Sequence, residues 1–370
     1  MSGGTRSLAV DVMRGMMLVL MIVVNMSIEG VSYAPLQHAK WHGLTLTDVV
    51  FPTFLFVAGV SISYALDGLR RVGMSAALKK IFRRTALLFL CGYLLYWFPF
   101  FHFDEAGRLA LLPLAGTRIP GVLQRIAVDY CVVSLIAIVL GTRGALIFAG
   151  AVLLGYWTVL AHFGDYTLAG NAVRKFDLLL LGPDHLWHGE GIAFDPEGLL
   201  STLPAAVNML AGCLAGRALR VRGYDRALLW RFAGIGVVCV ALALVWNGVL
   251  PINKKLWTSS YALCTIGIDL VVLAALVWAI DGRGVRNKLT HFFEVLGKNT
   301  LFVYLLSEVG NALMFLIPIG GVSSFSWLYR NGFESWAGAP NGALLYACTF
   351  MLLCWLVAWG MDRKRIYITL

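Results

Sequence analysis

The sequence predicts an all-α fold: a polytopic bundle of about ten transmembrane helices forming one integral-membrane domain over residues 1–370, with both termini cytoplasmic. Three observations carry this. Of 370 residues, 59% are hydrophobic and only 14% charged, against roughly a quarter charged in an ordinary soluble domain. Apolar runs recur from Met13 to near Trp359, and a hydrocarbon core of about 30 Å needs about 20 such residues per helix. Lys and Arg gather in alternate connections between the runs.

In order, the spans are expected at residues 13–32, 49–66, 84–101, 121–140, 145–162, 200–216, 232–250, 258–280, 292–316 and 342–361. Helices are the default because lipid cannot satisfy backbone polar groups. An even number of spans puts both termini on one side. That side holds Arg6, the basic clusters of 70–84, 217–231, 283–288 and 363–365, and Arg143. The other holds the sparser Lys40, Arg108, Arg118, Arg174, Lys175, Lys254, Lys255 and Arg330, so the positive-inside rule assigns the termini to the cytoplasm. The net charge of +10 is thus explained by orientation, and nucleic acid is excluded as a partner. The outward face becomes the periplasm of a bacterial inner membrane, with lipids as the surrounding partner. A homodimer is left open.

Arg6 and Arg14 precede an apolar run with no A-x-A cleavage site, so the N-terminus is expected to be a retained span rather than a removed signal. The seven cysteines lie in apolar segments without CxxC spacing and read as packing residues. No repeat or linker marks a second domain.

Candidate chemistry begins after the first span, in QHAKWHGLTLTDVVFP, Gln37–Pro52. His38 and His42 are four apart, yet the Glu of HExxH and a third ligand are missing, so no metal is expected. Flanked by Pro35 and Gly43, the segment is a loop or a short interfacial helix in which Trp41 and His42 can anchor at headgroups. Asp48, at the entrance of the second span, can cap that helix, or reach His38 and hold one imidazole tautomer. Asn25 can donate to a developing oxyanion or join helices. Within spans, Arg125 and Asp129, and Glu294 and Lys298, are spaced to neutralise one another, as are Asp11 and Arg14 near the surface. Asp269 and Glu308 have no local partner. RIPGVLQR (118–125), FDPEGLLSTLP (194–204) and PINKKLWTSSY (251–261) add polar groups at outward helix ends.

Taken in order, DVMRG (11–15), VVN (23–25), HAKWHGLTLTDVVFP (38–52), RIPGVLQR, DPEGLLST (195–202) and PINKKLWTSSY resemble the transmembrane acetyltransferase family that includes lysosomal heparan-alpha-glucosaminide N-acetyltransferase and its bacterial NagX-like relatives. The resemblance implies His38 as the catalytic histidine, with Asn25 and Asp48 in support. It implies acetyl-CoA as the cytoplasmic donor, without a metal, and a glucosamine amine across the membrane as the acceptor. With no large lumenal domain ahead of the first span, a small amino sugar is the expected acceptor. Arg14, Arg118, Arg125, Ser260 and Asn299 are the expected contacts for CoA, and Trp41, Asp195, Glu197 and Lys254 those for the sugar. The rival readings are an amino-sugar transporter, weakened by the missing inverted repeat, and an O-acyltransferase of envelope glycans.

Overall fold

A computed structural model describes residues 7–103 and 108–368. The described chain is helical almost throughout. Helix α1 covers Leu8–Asn25, α2 Leu46–Arg71 and α3 Met74–Trp97. A small hairpin, β1 (Phe101–Phe103) with β2 (Leu109–Leu111), pairs antiparallel before α4, Val122–Val139. Then come α5 (Thr142–Phe163), the short α6 (Ala172–Leu181), α7 (Leu199–Arg222), α8 (Arg226–Trp246) and α9 (Ser259–Leu276), the last ending in a π-helical turn over Val277–Gly282. After α10 (Lys288–Lys298) and α11 (Thr300–Leu316), a second hairpin, β3 (Pro318–Ile319) with β4 (Val322–Ser323), leads to α12 (Ser324–Leu328), α13 (Ser335–Ala337) and α14 (Ala339–Arg363).

The spans differ from expectation in three places. Among the described residues, 8 helices are long and apolar enough to cross a membrane, or 9 if α10 and α11 count as one, rather than ten. The predicted span 292–316 is a pair of helices bent by 81° at Asn299. The predicted span 84–101 falls in α3, whose first half carries Lys79, Lys80, Arg83 and Arg84, which leaves too short an apolar stretch to qualify. The first span starts and stops earlier than residues 13–32, which makes Asn25 the last residue of α1. Arg6 and both chain ends lie outside the described residues.

Two compact units emerge, neither continuous in sequence. The first comprises the described residues up to Lys40, Leu44–Phe54, and Val272 onward. In it α1 packs along α10 and α14. The α1–α10 approach depends on glycine: a Cβ on Gly15 would lie 1.9 Å from the Phe293 carbonyl oxygen, and one on Gly297 2.1 Å from that of Asp11. Small residues at such crossings let backbones meet and gain dispersion contact, which replaces the hydrophobic drive that lipid cannot supply.

The second unit holds Trp41–Gly43 and Leu55–Val271. Helix α4 packs between α3 and α7, and α7 also meets α5, α6 and α8. Helices α2 and α7 touch through Gly59 and Gly212, where an added Cβ would fall 1.8 Å from the carbonyl oxygens of Met209 and Phe56. Because those are backbone atoms, relief requires helix displacement. Gly212→Ala should therefore lower the detergent melting temperature by several degrees or prevent recovery of monodisperse protein, an overpacking cost of about 1–3 kcal/mol or more. Gly234→Ala, where a Cβ meets nothing within 4 Å, should melt like the parent, and equal melting of the two variants would contradict the close crossing.

Candidate active site

In the first unit the site is assembled by the connection from α1 to α2. The Ile28 amide donates to the Ser32 hydroxyl (2.8 Å), the Ser32 amide to the Ile28 carbonyl (2.9 Å), and the Gln37 side-chain amide to the Ser32 carbonyl. A 3₁₀ turn over Ala34–Leu36 follows, and the Thr47 hydroxyl fastens it by donating to the Pro35 carbonyl at 3.1 Å. These bonds tie the short segment carrying His38 to both helix ends.

Asp48 then meets His38 directly, with Nδ1 and Oδ1 2.7 Å apart. Its other oxygen accepts from the Ala39 amide (3.1 Å), the Thr45 amide (2.9 Å) and the Thr45 hydroxyl (2.9 Å). The two roles available to Asp48 are therefore both filled. Its reach back to Thr45, just ahead of α2, is half of a capping box, and the same carboxylate orients the imidazole. A carboxylate only accepts, so in the neutral ring Nδ1 carries the proton and Nε2 keeps the lone pair. Asp48 is 1% exposed while the His38 side chain is 42% exposed: the orienter is fixed in protein and the ring is only partly covered.

Asn25, at the end of α1, donates its side-chain amide to Glu308 Oε1 of α11 at 2.7 Å. Glu308 had no visible partner in the sequence, and only the helix crossing reveals one.

In the second unit, Arg118, Asp195 and Glu197 form one cluster, although the sequence suggested separate roles in holding coenzyme and sugar. Arg118 donates from Nε and Nη2 to the two oxygens of Asp195 (2.8 and 2.6 Å), from Nη2 also to Glu197 (2.7 Å), and from Nη1 to the Tyr96 hydroxyl (3.1 Å). Asp195, 0% exposed, also accepts the amides of Trp187 and Glu197. Burial opposes charge on Arg118, yet Tyr96, Asp195 and Glu197 hold its pKa above the ordinary arginine value. Burial likewise pushes Glu197 upward, but Arg118, Arg125 and Lys254 outweigh it and hold this carboxyl below its usual range. Every group of the Arg118 guanidinium is thus committed within the protein.

Arg125 differs. From α4 its Nη2 donates to the carbonyls of Pro196 (3.0 Å) and Gly198 (3.1 Å) and to the Ser201 hydroxyl, and its guanidinium lies 4.8 Å over the Trp257 ring. Its Nε and Nη1 are buried and meet no acceptor among the described residues. Trp257 is wholly buried with φ +48°, an unfavourable conformation for so bulky a residue, and is held by its indole N–H to Asn208 (3.1 Å). Asp129, one turn along α4 from Arg125, is also fully buried.

Sequence reading passed over Asp177 of α6, which accepts the Leu199 amide at the start of α7 (3.0 Å). A Cβ on Gly198 would strike its Oδ2 at 1.8 Å, so glycine there admits the carboxyl. Burial pushes its pKa up to about 7 from 3.8, against the hydrogen bond from Leu199 and with added repulsion from Asp195. Between those values the folded protein holds a proton that the unfolded chain releases, so stability falls as pH rises from about 4 to 7 and is then level. Asp177→Asn should abolish this slope, worth up to about 1.4 kcal/mol per pH unit. Melting curves of parent and variant at pH 5 to 8 that stay parallel would refute it.

The remaining expected contacts occupy defined places. Trp41 donates its indole N–H to the Tyr166 carbonyl (2.7 Å) and packs on Phe194 (centroids 5.7 Å apart), which ties it to the loop after α5. His42 accepts at Nδ1 from the Asn253 amide (3.2 Å), an arrangement for the neutral ring, and burial lowers its pKa. Lys254 lies in the turn before α9 and acts on Glu197 electrostatically. Ser260 is buried at the start of α9, with its hydroxyl 3.1 Å from that of Thr258. Arg14 donates to Asp11 (2.9 Å) and to the Gly297 carbonyl (3.0 Å), bracing α1 on α10. Asn299 uses its amide on the C-terminal segment, donating to the Ile366 carbonyl and accepting the Ile368 amide, both at 2.9 Å.

The chain is a helical membrane protein with a carboxylate-oriented imidazole in one unit and a buried arginine–carboxylate cluster in the other, groups that are costly to keep at membrane helix ends. Residues 6–233 match the family described as heparan-alpha-glucosaminide N-acetyltransferase, catalytic. Heparan-alpha-glucosaminide N-acetyltransferase of Homo sapiens is 31% identical over 359 residues, covering 81% of this chain and 52% of that protein. Its Mus musculus counterpart is 30% identical over 366 residues, covering 83% and 54%. The chain belongs to the heparan-alpha-glucosaminide N-acetyltransferase catalytic family. It spans about half the length of these relatives.

Proposed function

We propose that this protein is an integral-membrane N-acetyltransferase that moves an acetyl group from acetyl-CoA to the amine of glucosamine or a small glucosamine-containing glycan. The observation that carries this reading is the His38–Asp48 pair, 2.7 Å apart, inside the segment that the family resemblance marks as catalytic. A glucosamine amine attacks only when unprotonated. As its nitrogen bonds to the thioester carbon, it becomes acidic, and His38 Nε2 takes the proton while Asp48 stabilises the imidazolium. Asn25 donates to the developing oxyanion. Collapse breaks the C–S bond, and the departing thiolate recovers the proton from His38, leaving acetamide and free CoA.

Both substrates must also be positioned, since one base supplies only about 10²–10⁴-fold. Of the basic residues expected to meet CoA, Arg125 has buried donors that meet no acceptor among the described residues, which favours it over Arg118 and Arg14. Asp195 and Glu197, buried on Arg118, would serve the acceptor by holding that part of the second unit in shape. The asymmetry of Lys and Arg supports cytoplasmic termini and entry of acetyl-CoA from that side, with His38 facing the periplasm of a bacterial inner membrane.

Purified protein incubated with acetyl-CoA and glucosamine, without any gradient, should release CoA and yield N-acetylglucosamine by mass spectrometry. Acetylation confined to hydroxyl acceptors would make it an O-acyltransferase. Gradient-driven sugar uptake in proteoliposomes without thioester cleavage would make it a transporter.

A further inference from the structure

We infer that Glu308 is a positioning residue for acetyl transfer, acting by fixing which end of the Asn25 amide is anchored and which is presented to the reaction. The inference rests on the role proposed above for Asn25. Glu308 is the sole acidic residue of α11, TLFVYLLSEVGNALMFL, and lies near its middle. Its Oε1 accepts from Asn25 Nδ2 at 2.7 Å, joining residues 283 apart in sequence.

The choice of a carboxyl group at this point requires a reason. A carboxylate within an apolar helix is costly. Here it also meets the last residue of α1, whose C-terminal end carries the negative pole of the helix dipole and repels an anion. A glutamine would tie the same two helices without either penalty. What glutamine lacks is direction: its amide both donates and accepts, so it would hold Asn25 equally well in the flipped orientation. A carboxylate accepts only, which obliges Asn25 to face it with nitrogen. One N–H is then held by Glu308 and the other is directed away, and an oxyanion can be served only by N–H. One turn along α11 on the same face, Asn311 buries an amide oxygen with no donor among the described residues, so the polar strip continues beyond the Asn25 pair.

The test compares steady-state kinetics for acetyl-CoA and glucosamine in four variants, each checked for a parental melting profile. Glu308→Leu should lower kcat tenfold or more with KM changed less than about threefold, approaching the loss in Asn25→Ala. Glu308→Gln should retain an intermediate kcat. The double variant Asn25→Ala with Glu308→Leu should be no worse than Asn25→Ala, as expected of residues acting as one unit. Should Glu308→Leu fold poorly, the exchange Asn25→Asp with Glu308→Gln keeps a hydrogen bond between the helices while reversing its direction; it should fold normally and lose activity.

Parental kcat in the exchanged pair or in Glu308→Leu, alongside a defective Asn25→Ala, overturns the role of Glu308 and leaves the proposed function standing. Parental kcat in Asn25→Ala overturns both the positioning role and the proposed role of Asn25. Multiplicative losses in the double variant likewise overturn it.

Discussion

Replacing His38 by Ala is expected to lower kcat by about 10²–10⁴-fold while leaving the melting temperature and acetyl-CoA affinity near parental values. The geometry sets these expectations separately. The ring is partly exposed, so its removal leaves no large cavity, and it contributes one hydrogen bond to Asp48, whose other oxygen retains three donors. Asp48→Asn should be similarly inactive for a different reason. An amide that turns its nitrogen to His38 obliges Nδ1 to accept, which moves the ring proton to Nε2 and removes the base. That variant should also melt somewhat lower, because the capping bonds to Thr45 are weakened. Measuring kcat and melting together discriminates among the outcomes: full activity in His38→Ala refutes the catalytic role, whereas parallel loss of activity and folded protein would reassign the pair to structure.

The second large effect is expected on stability. Arg118→Ala would strand Asp195 and Glu197 in the interior without their shared cation, a loss of about 3–5 kcal/mol by analogy with broken buried ion pairs. Asp195→Asn should cost less, since Glu197 remains to balance Arg118. Combining Arg118→Met with Asp195→Asn and Glu197→Gln should recover part of the loss, because no charge is then left unpaired. Melting temperature and yield in detergent order the three. Should Arg118→Ala melt like the parent yet bind acetyl-CoA poorly, the guanidinium serves the coenzyme and the cluster is not a structural lock.

The part of the site legible in sequence is the part enclosed in short segments. His38 and Asp48 are 10 residues apart within one motif, and both roles suggested for Asp48 proved compatible because its two oxygens point to different partners. Arg118 and the pair Asp195 and Glu197 stood out individually, but their union across 77 residues did not. Asn299 was expected at the coenzyme, and the bend at that point turns its amide onto the C-terminal segment. Glu308 and Asp177 had no local partner to suggest what they do.

Composition and the distribution of apolar runs were sufficient for a helical membrane protein, because transfer into hydrocarbon depends on summed side-chain chemistry and on satisfying each backbone group locally. Short motifs brought His38 and Asp48 forward together, but whether Asp48 caps the helix or reaches the ring was decided by the folded loop, which lets it do both. The break at Asn299 and the partners of Asn25, Arg118 and Asp177 were decided by packing. Those contacts depend on how glycine-lined helices such as α1 and α10 approach one another, a property of surfaces brought together from distant parts of the chain.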